Sequence, residues 1–302
     1  MAAITLSNLV KDYGDLRAVD GVTLEVAEGE VYALLGHNGA GKSTTVEILE
    51  GHRRRTSGEV SVLGHDPDRA GRDLRDRIGI VLQTSGVEDE LTVVEAVDVY
   101  GSCYRRRQAT ADVLDLVGLG AQAERRVGAL SGGQRRRLDL ALGIVGTPDV
   151  LFLDEPTTGF DPAARRQAWE LIRQLCAGGT TVLLTTHYLD EADHLADRVG
   201  VLWAGRLVAE GTPAELVGGG GTRIGFLLPD SIGLDELDGV VPPGTELVGD
   251  RVEFTTPTPT VAVHAVTGWA IERGVELIGL TVQRPSLEDV FLALGAEAPS
   301  SS

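Results

Sequence analysis

The sequence predicts an α/β fold, a parallel sheet with crossover helices, followed by a small α+β domain. Three observations carry this. Strand-like and helix-like runs alternate from about residue 22 to residue 209, the pattern of a parallel sheet. The runs VYALL and VLFL are continuously apolar, as strands buried on both faces are. A four-glycine run, Gly218–Gly221, interrupts the chain, and beyond it strands and helices mix differently.

The elements follow in order. ITLSNL at 4–9 and, within 22–35, VTLEV and VYALLG are rich in β-branched and apolar residues and read as strands. Residues 42–50 read as a helix, 59–63 and 78–82 as strands, and 92–118 as mostly helical. A helix at 132–145 precedes the buried strand 150–153. Pro162 opens a helix over 162–176, at the first-turn position where proline is tolerated. Then come a strand at 180–185, a helix at 189–196 and two short strands within 199–209. These make a domain over 1–217, with 218–221 as a flexible linker. Over 222–295, strands are expected at 223–228, 246–254 and 275–282, and helices at 260–273 and 286–294. The tail 296–302, AEAPSSS, reads as disordered.

Composition excludes several classes. With 42% hydrophobic residues among 302, the chain has enough apolar material for a large domain and a smaller one. No apolar run reaches the roughly 18–20 residues that cross a bilayer, and no signal peptide is read at the N-terminus. Cys103 and Cys176 form no disulfide framework or metal-ligand spacing. Net charge is −18, from 45 acidic and 27 basic residues, which disfavours nucleic acid as a partner. Three arginine runs, Arg53–Arg55, Arg105–Arg107 and Arg135–Arg137, read as solvated faces offsetting acidic neighbours.

The chemistry is concentrated in short motifs. GHNGAGKST, Gly36–Thr44, stands between a strand and a helix and fits the P-loop pattern. Gly36, Gly39 and Gly41 let the backbone curl until its N–H groups face one point, with His37, Asn38 and Ala40 completing the loop. The following helix adds positive potential there. Lys42 is expected to reach the β- and γ-phosphates of a nucleotide, Ser43 to offer its hydroxyl to Mg²⁺, and Thr44 to face the α-phosphate. Only Lys11 and Lys42 are lysine in this arginine-rich chain. A planar guanidinium would not fit a cradle sized for an ammonium, so lysine at 42 is itself a signal.

VLFLDEP ends a buried strand in two carboxylates. An aspartate there, Asp154, is placed to hold Mg²⁺ through water, and Glu155 to deprotonate the attacking water. His187 ends the next strand, TTVLLTTH, whose end should lie beside the same pocket, as a γ-phosphate sensor. Gln83 ends the strand RIGIVLQ. Ser131-Gly132-Gly133-Gln134 opens a helix and so presents bare N–H groups to a second anion.

Taken in order, GHNGAGKST, Gln83, LSGGQ, VLFLDEP, GFD and His187 resemble the nucleotide-binding subunit of an ATP-binding cassette (ABC) transporter over about residues 4–215. The resemblance implies a P-loop NTPase of the ABC ATPase type, with a helical subdomain at about 84–145 that touches a membrane partner. It implies ATP and Mg²⁺ as cofactors. Tyr13 corresponds to the aromatic that stacks on adenine, and Gln83 to the glutamine that touches Mg²⁺ and the attacking water. Asp161 corresponds to the aspartate that bridges two subunits, in the triplet Gly159-Phe160-Asp161 where Gly-Leu-Asp is usual. Ser131, Gly132 and Gly133, with Gln134, would close over the γ-phosphate held by a second copy in a head-to-tail dimer.

LTVQRPSLEDVFLALG, Leu280–Gly295, resembles the end of daunorubicin-type drug-resistance ATPases, exporters whose separate permease is of the ABC-2 type. This implies an ATPase on the cytoplasmic side of the membrane that exports a drug, an antibiotic or another hydrophobic compound. A soluble ABC ATPase is the alternative. The single cassette and the absence of heptad or cysteine insertions disfavour it. Intact Glu155 disfavours a purely regulatory cassette.

Overall fold

The structure is a computed structural model and describes residues 1–82, 86–218, 221–229, 232–283 and 286–291. Gln83, Gly219 and Gly220 of the glycine linker, and the tail 296–302 lie outside the described residues. The chain divides into two compact units, Met1–Pro213 and Ala214–Ser302.

The first unit opens with β1 (Ala2–Tyr13), β2 (Leu16–Ala27) and β3 (Val31–Leu35), followed by α1 (Lys42–Leu49) and β4 (Ser57–Val62). Then come α2 (Arg72–Arg75), β5 (Ile78–Val81), α3 (Val93–Gly101), α4 (Thr110–Leu116) and α5 (Gly132–Ile144). After these come β6 (Val150–Asp154), α6 (Pro162–Ala177), β7 (Thr181–Thr186), α7 (Leu189–Leu195), β8 (Arg198–Trp203) and β9 (Arg206–Gly211), and α8 (Pro213–Val217) begins at the boundary between the units.

Two sheets result. The six-stranded sheet has the order β5-β6-β7-β3-β8-β9. It is parallel from β5 to β8, and β9 returns antiparallel to β8. All five residues of β3 are buried, as are the first four of β6, which accounts for their unbroken apolar runs, and all six of β7 are buried with its threonines hydrogen-bonded. A separate antiparallel sheet, β2-β1-β4, packs its apolar face into the same core. Leu6, Leu24 and Val60 from it meet Tyr32, Phe152 and Leu183 from the parallel sheet.

The stretch expected to be mostly helical, 92–118, is two helices with a turn between them. Thr92 starts α3 with a reciprocal capping box to Glu95. Arg105 then turns to Asp73 and Asp76, Arg106 to Asp149, and Arg107 to Asp98. These carboxylates sit on different elements, so the run cannot continue as one helix while reaching them all.

Helix α5 approaches β5 closely because both present glycine. A Cβ on Gly79 would stand 2.1 Å from the Gly143 carbonyl oxygen, and one on Gly143 would stand 2.5 Å from Val81. Between α1, β5 and the helical layer lies a groove of about 370 Å³. Glu50, Tyr100, Tyr104, Asp139 and Leu142 are among the residues that line it. The Glu50 side chain is 3% exposed, with His52 Nδ1 at 3.3 Å. Burial, then the charges of Asp154 and Glu47, push its carboxyl up to about 8 from an ordinary 4.5.

The second unit holds β10 (Thr222–Leu227), β11 (Glu246–Val248), β12 (Arg251–Thr256), α9 (Pro259–Arg273) and β13 (Ile278–Gln283). Its antiparallel sheet has the order β11-β12-β10-β13. Ile224, Phe226 and Phe254 form a core with Val266 and Trp269 of α9.

Two expectations follow. Gly79→Ala forces backbone against backbone and is expected to cost about 1–3 kcal/mol, read as a lower urea midpoint. Glu50 keeps a proton in the native state between about pH 4.5 and 8 that the unfolded chain releases. Stability therefore falls as pH rises through that window, by up to about 1.4 kcal/mol per unit. Glu50→Gln is expected to remove that slope and to be the more stable form at pH 8, measured by urea unfolding at pH 5.5 and 8. A slope that survived the substitution would assign it elsewhere.

Candidate nucleotide site

The parallel register brings three strand ends to one edge of the sheet. Leu35 pairs with Thr186, and Asp154 with Thr185, so the segments after β3, β6 and β7 leave side by side. Their side chains meet in a cavity of about 470 Å³. It is lined by Tyr13, Leu16 and Ala18, by Asn38, Gly39, Gly41, Lys42, Ser43 and Thr44, and by Asp154 and Glu155.

The cradle is curled by glycine where no Cβ would fit. A Cβ on Gly36 would lie 2.6 Å from the Leu202 carbonyl oxygen. Gly41 has φ +102°, and its Cβ would lie 2.5 Å from the Ala18 carbonyl oxygen. The turn after β8 braces the loop, as Gly205 N–H donates to the Ala40 carbonyl at 3.0 Å. Gly36 and Ala40 are thus buried behind the cavity, and His37 turns away from it, its ring edge on Trp203 at 4.6 Å. Ser43 and Thr44 begin α1 and face the cavity.

Lys42 is 6% exposed. Its Nζ donates to the Gly36 carbonyl at 2.7 Å and the His37 carbonyl at 3.2 Å, two of its three donors. Burial pulls its pKa below the usual ammonium value, and Glu155 and Asp154 oppose that shift. An ammonium, the bare N–H groups of the first turn and a loop that excludes side chains together fit a polyphosphate.

Opposite the lysine stand the carboxylates. The Thr185 hydroxyl donates to Asp154 Oδ1, fixing that group. Glu155 has φ +47°, in the left-handed region that costs an ordinary residue energy. Its N–H donates to the Thr185 carbonyl at 3.0 Å, which holds this conformation. Glu155 Oε1 accepts from His187 Nδ1 at 2.8 Å, and Oε2 from the Thr158 hydroxyl at 3.3 Å. His187 thus meets the pocket through Glu155. Ser43 and Asp154 offer a hydroxyl and a carboxylate, the hard oxygen donors that suit Mg²⁺.

Tyr13 reaches the cavity from the end of β1, 39% exposed, with Lys11 Nζ 4.8 Å and the Arg53 guanidinium 5.2 Å from its ring centre. An exposed ring at the mouth of a polyphosphate cavity can stack on a base.

The LSGGQ residues and Asp161 do not line this cavity. Ser131 caps α5: its hydroxyl accepts from Gln134 N–H at 3.3 Å, and the Gln134 side-chain oxygen accepts from Ser131 N–H at 3.0 Å. Asp161 caps α6, Oδ1 accepting from the N–H groups of Ala163 and Ala164 at 2.9 Å. Those two bonds hold its carboxyl below the usual range.

Arg105–Arg107 are exposed and offset Asp73, Asp76, Asp149 and Asp98, as a solvated face does. Arg55 pairs with Asp66 and Asp68, and Arg135 with Asp89. Arg136 is buried, reaching the carbonyls of Leu82, Asp154, Glu155 and Pro156. The reading of 135–137 as a solvated face is corrected at this residue. Its helical phase was a usable signal, because 136 precedes Leu140 by four and Gly143 by seven, on the face packed on β5. Thr185 and Thr158, which hold the two carboxylates, were also missed. The threonines before His187 and after Glu155 were their only mark.

Comparison with known proteins agrees with this geometry. The ABC transporter family model matches residues 19–158. A second, the C-terminal domain of ABC transporter domain-containing protein-like chains, matches 222–286. A daunorubicin resistance ATP-binding protein of Streptomyces coeruleorubidus is 42% identical over 97% of this chain and 95% of its own. A Nod factor export ATP-binding protein of Paraburkholderia xenovorans is 40% identical over 97% of each. A solved ATP-binding subunit of an ABC transporter superposes with TM-score 0.66 at 26% identity, over 71% of this chain and 91% of that one. A dimeric ATP-binding cassette solved with ADP and Pi gives 0.64 at 26% identity, over 69% and 98%. The domain binds ATP and the chain is an ATPase. It belongs to the ABC transporter family, among that family's ATP-binding proteins.

Proposed function

We propose that the chain powers a separate membrane permease, of the ABC-2 type, that exports a drug, an antibiotic or another hydrophobic compound. The observation that carries the reading is the convergence of Tyr13, the P-loop and Asp154-Glu155 on one cavity, with His187 bonded to Glu155. Relatives named for daunorubicin resistance and Nod factor export, matched over nearly the whole chain, support export as the direction.

The residues divide the work. Tyr13 stacks on adenine. The N–H groups of Gly36–Thr44, His37 and Asn38 included, and the Lys42 ammonium hold the β- and γ-phosphates against charge that grows as the terminal bond breaks. Ser43, Asp154 and Gln83 would hold Mg²⁺, which would neutralise phosphoryl oxygens when bound. Glu155 takes the proton of the attacking water as that oxygen bonds to the γ-phosphorus and ADP leaves. His187 aims Glu155 and senses the γ-phosphate.

The second anion site belongs to a second copy of the chain. Gly132 and Gly133 weaken the first turn of α5, yet neither has positive φ and a Cβ on either would meet nothing within 4 Å. Among the described residues nothing in their own chain requires glycine there. A ligand brought by a head-to-tail partner does, with Ser131 and Gln134 at its edge and Asp161 at the seam. Removing the γ-phosphate then opens the dimer.

The permease docks at the groove beside the helical subdomain, about 84–145, where apolar walls surround Glu50 and Asp139. Among the described residues no helix is long and apolar enough to cross a membrane. The chain works as a peripheral protein on the cytoplasmic side. Residues 222–295, past the linker 218–221, form an accessory domain, with 296–302 as a tail. Nucleic acid is not a partner of a surface with net charge −18.

Glu155→Gln is expected to lower kcat at least 100-fold while ATP still binds, and to form an ATP-dependent dimer visible by light scattering. Ser131→Arg in that background is expected to block association. Wild-type turnover in Glu155→Gln would remove the proposed base, and a monomer at saturating ATP would remove the shared site.

A further inference from the structure

The buried guanidinium of Arg136 has no part in the roles above. It lies on α5, five residues after Ser131, about 7.5 Å along the helix axis. Its side chain is 8% exposed. Nη2 donates to the Asp154 carbonyl at 2.8 Å and the Glu155 carbonyl at 3.0 Å. Nε donates to the Pro156 carbonyl at 3.1 Å, and Nη1 to the Leu82 carbonyl. Asp139 Oδ2 stands 3.7 Å from Nη1.

We propose that Arg136 is a positioning residue for ATP hydrolysis: its guanidinium locks three successive peptide groups around Glu155 to the helix that begins at Ser131, so that the attitude of this helix sets the aim of the Glu155 carboxylate. The inference rests on Glu155 as the base.

Three observations carry it. The bonds fall on the peptide carbonyls of residues 154, 155 and 156, the residues whose backbone directs both carboxylates. Glu155 holds a left-handed backbone, φ +47°, which persists only where surroundings over-determine it. Helix α5 cannot slide to relax these bonds, because Gly143 is packed against β5 with no room for a Cβ on either side. A planar guanidinium offers five donors in a fixed fork and can serve four carbonyls at once. A lysine ammonium offers three, and a glutamine amide two. The carbonyl of Leu82, the last described residue before Gln83, joins the same fork. The helix that faces the partner's nucleotide in the proposed dimer therefore also fixes the base of its own chain.

The test is steady-state ATP hydrolysis by the purified full chain carrying Arg136→Lys or Arg136→Gln, beside Glu155→Gln. For both Arg136 variants kcat is expected to fall about 10–100-fold, with KM for ATP within twofold of wild type. ATP-dependent association, measured with Glu155→Gln added, is expected to be unchanged. Wild-type kcat in either folded variant overturns the proposal, as does a KM that rises in step with the loss of kcat. If neither variant folds, Arg136 is a structural residue and the proposal falls. Wild-type turnover in Glu155→Gln would instead remove the reading beneath it, whatever the Arg136 variants do.

Discussion

The site depends on one register. Parallel pairing of β3, β6 and β7 places Leu35, Asp154 and Thr186 at a single edge. A shift of β6 by one residue would turn Asp154 to the other face of the sheet and carry Glu155 with it. That register is strongly specified, because β3, β6 and β7 are buried on both faces among Tyr32, Phe152 and Leu183. Thr185 reads it out chemically. Its hydroxyl holds the Asp154 side chain, and its carbonyl accepts the Glu155 N–H.

The cradle adds a second constraint, supplied from outside the parallel sheet. Its glycines are needed because carbonyls of Ala18 on β2 and Leu202 on β8 press against the loop. The antiparallel sheet and the β8–β9 turn thus act as a mould. Tyr13 arrives by the same route, since the turn from β1 to β2 overhangs the cavity that the loop encloses.

Much of this was legible in the sequence, for a physical reason. The strands of the parallel sheet announce themselves because burial on both faces favours apolar residues and admits only a few hydrogen-bonded polar ones, such as Thr185. The P-loop announces itself because a curled backbone needs glycine at fixed spacing. What could not be read was pairing between distant segments. That β1, β2 and β4 form a sheet of their own, and that 92–118 breaks at Arg105–Arg107, depend on carboxylates and strands far away in sequence. Arg136 fell into the same gap. Three arginines in a row look like solvent-facing charge, and only the position of Gly143 one turn past Leu140 marks 136 as the inward one.

The buried charges show how the two halves of the site are held together. On one side Arg136 ties the backbone of Asp154 and Glu155 to α5. On the other, Glu191 of α7 is fully buried and accepts from the Thr157 hydroxyl at 2.8 Å and Trp169 Nε1 at 3.3 Å. Burial pushes its carboxyl above the usual range. Thr157 lies two residues past Glu155, Trp169 lies on α6 behind Asp161, and Glu191 follows His187 by four. The histidine and the glutamate it bonds are thus anchored through a node that touches neither of them. A buried polar node of this kind is costly when half satisfied and rigid when complete. His187 stands just before the Tyr188 cap of α7, α6 carries Asp161 at its cap, and α5 carries Ser131 at its cap. Arg136 of α5 and Glu191 of α7 bond directly to the short segment Asp154–Thr158, and Trp169 of α6 reaches it through Glu191. The residues argued to meet the partner's nucleotide and those argued to break the chain's own are therefore mounted on one frame.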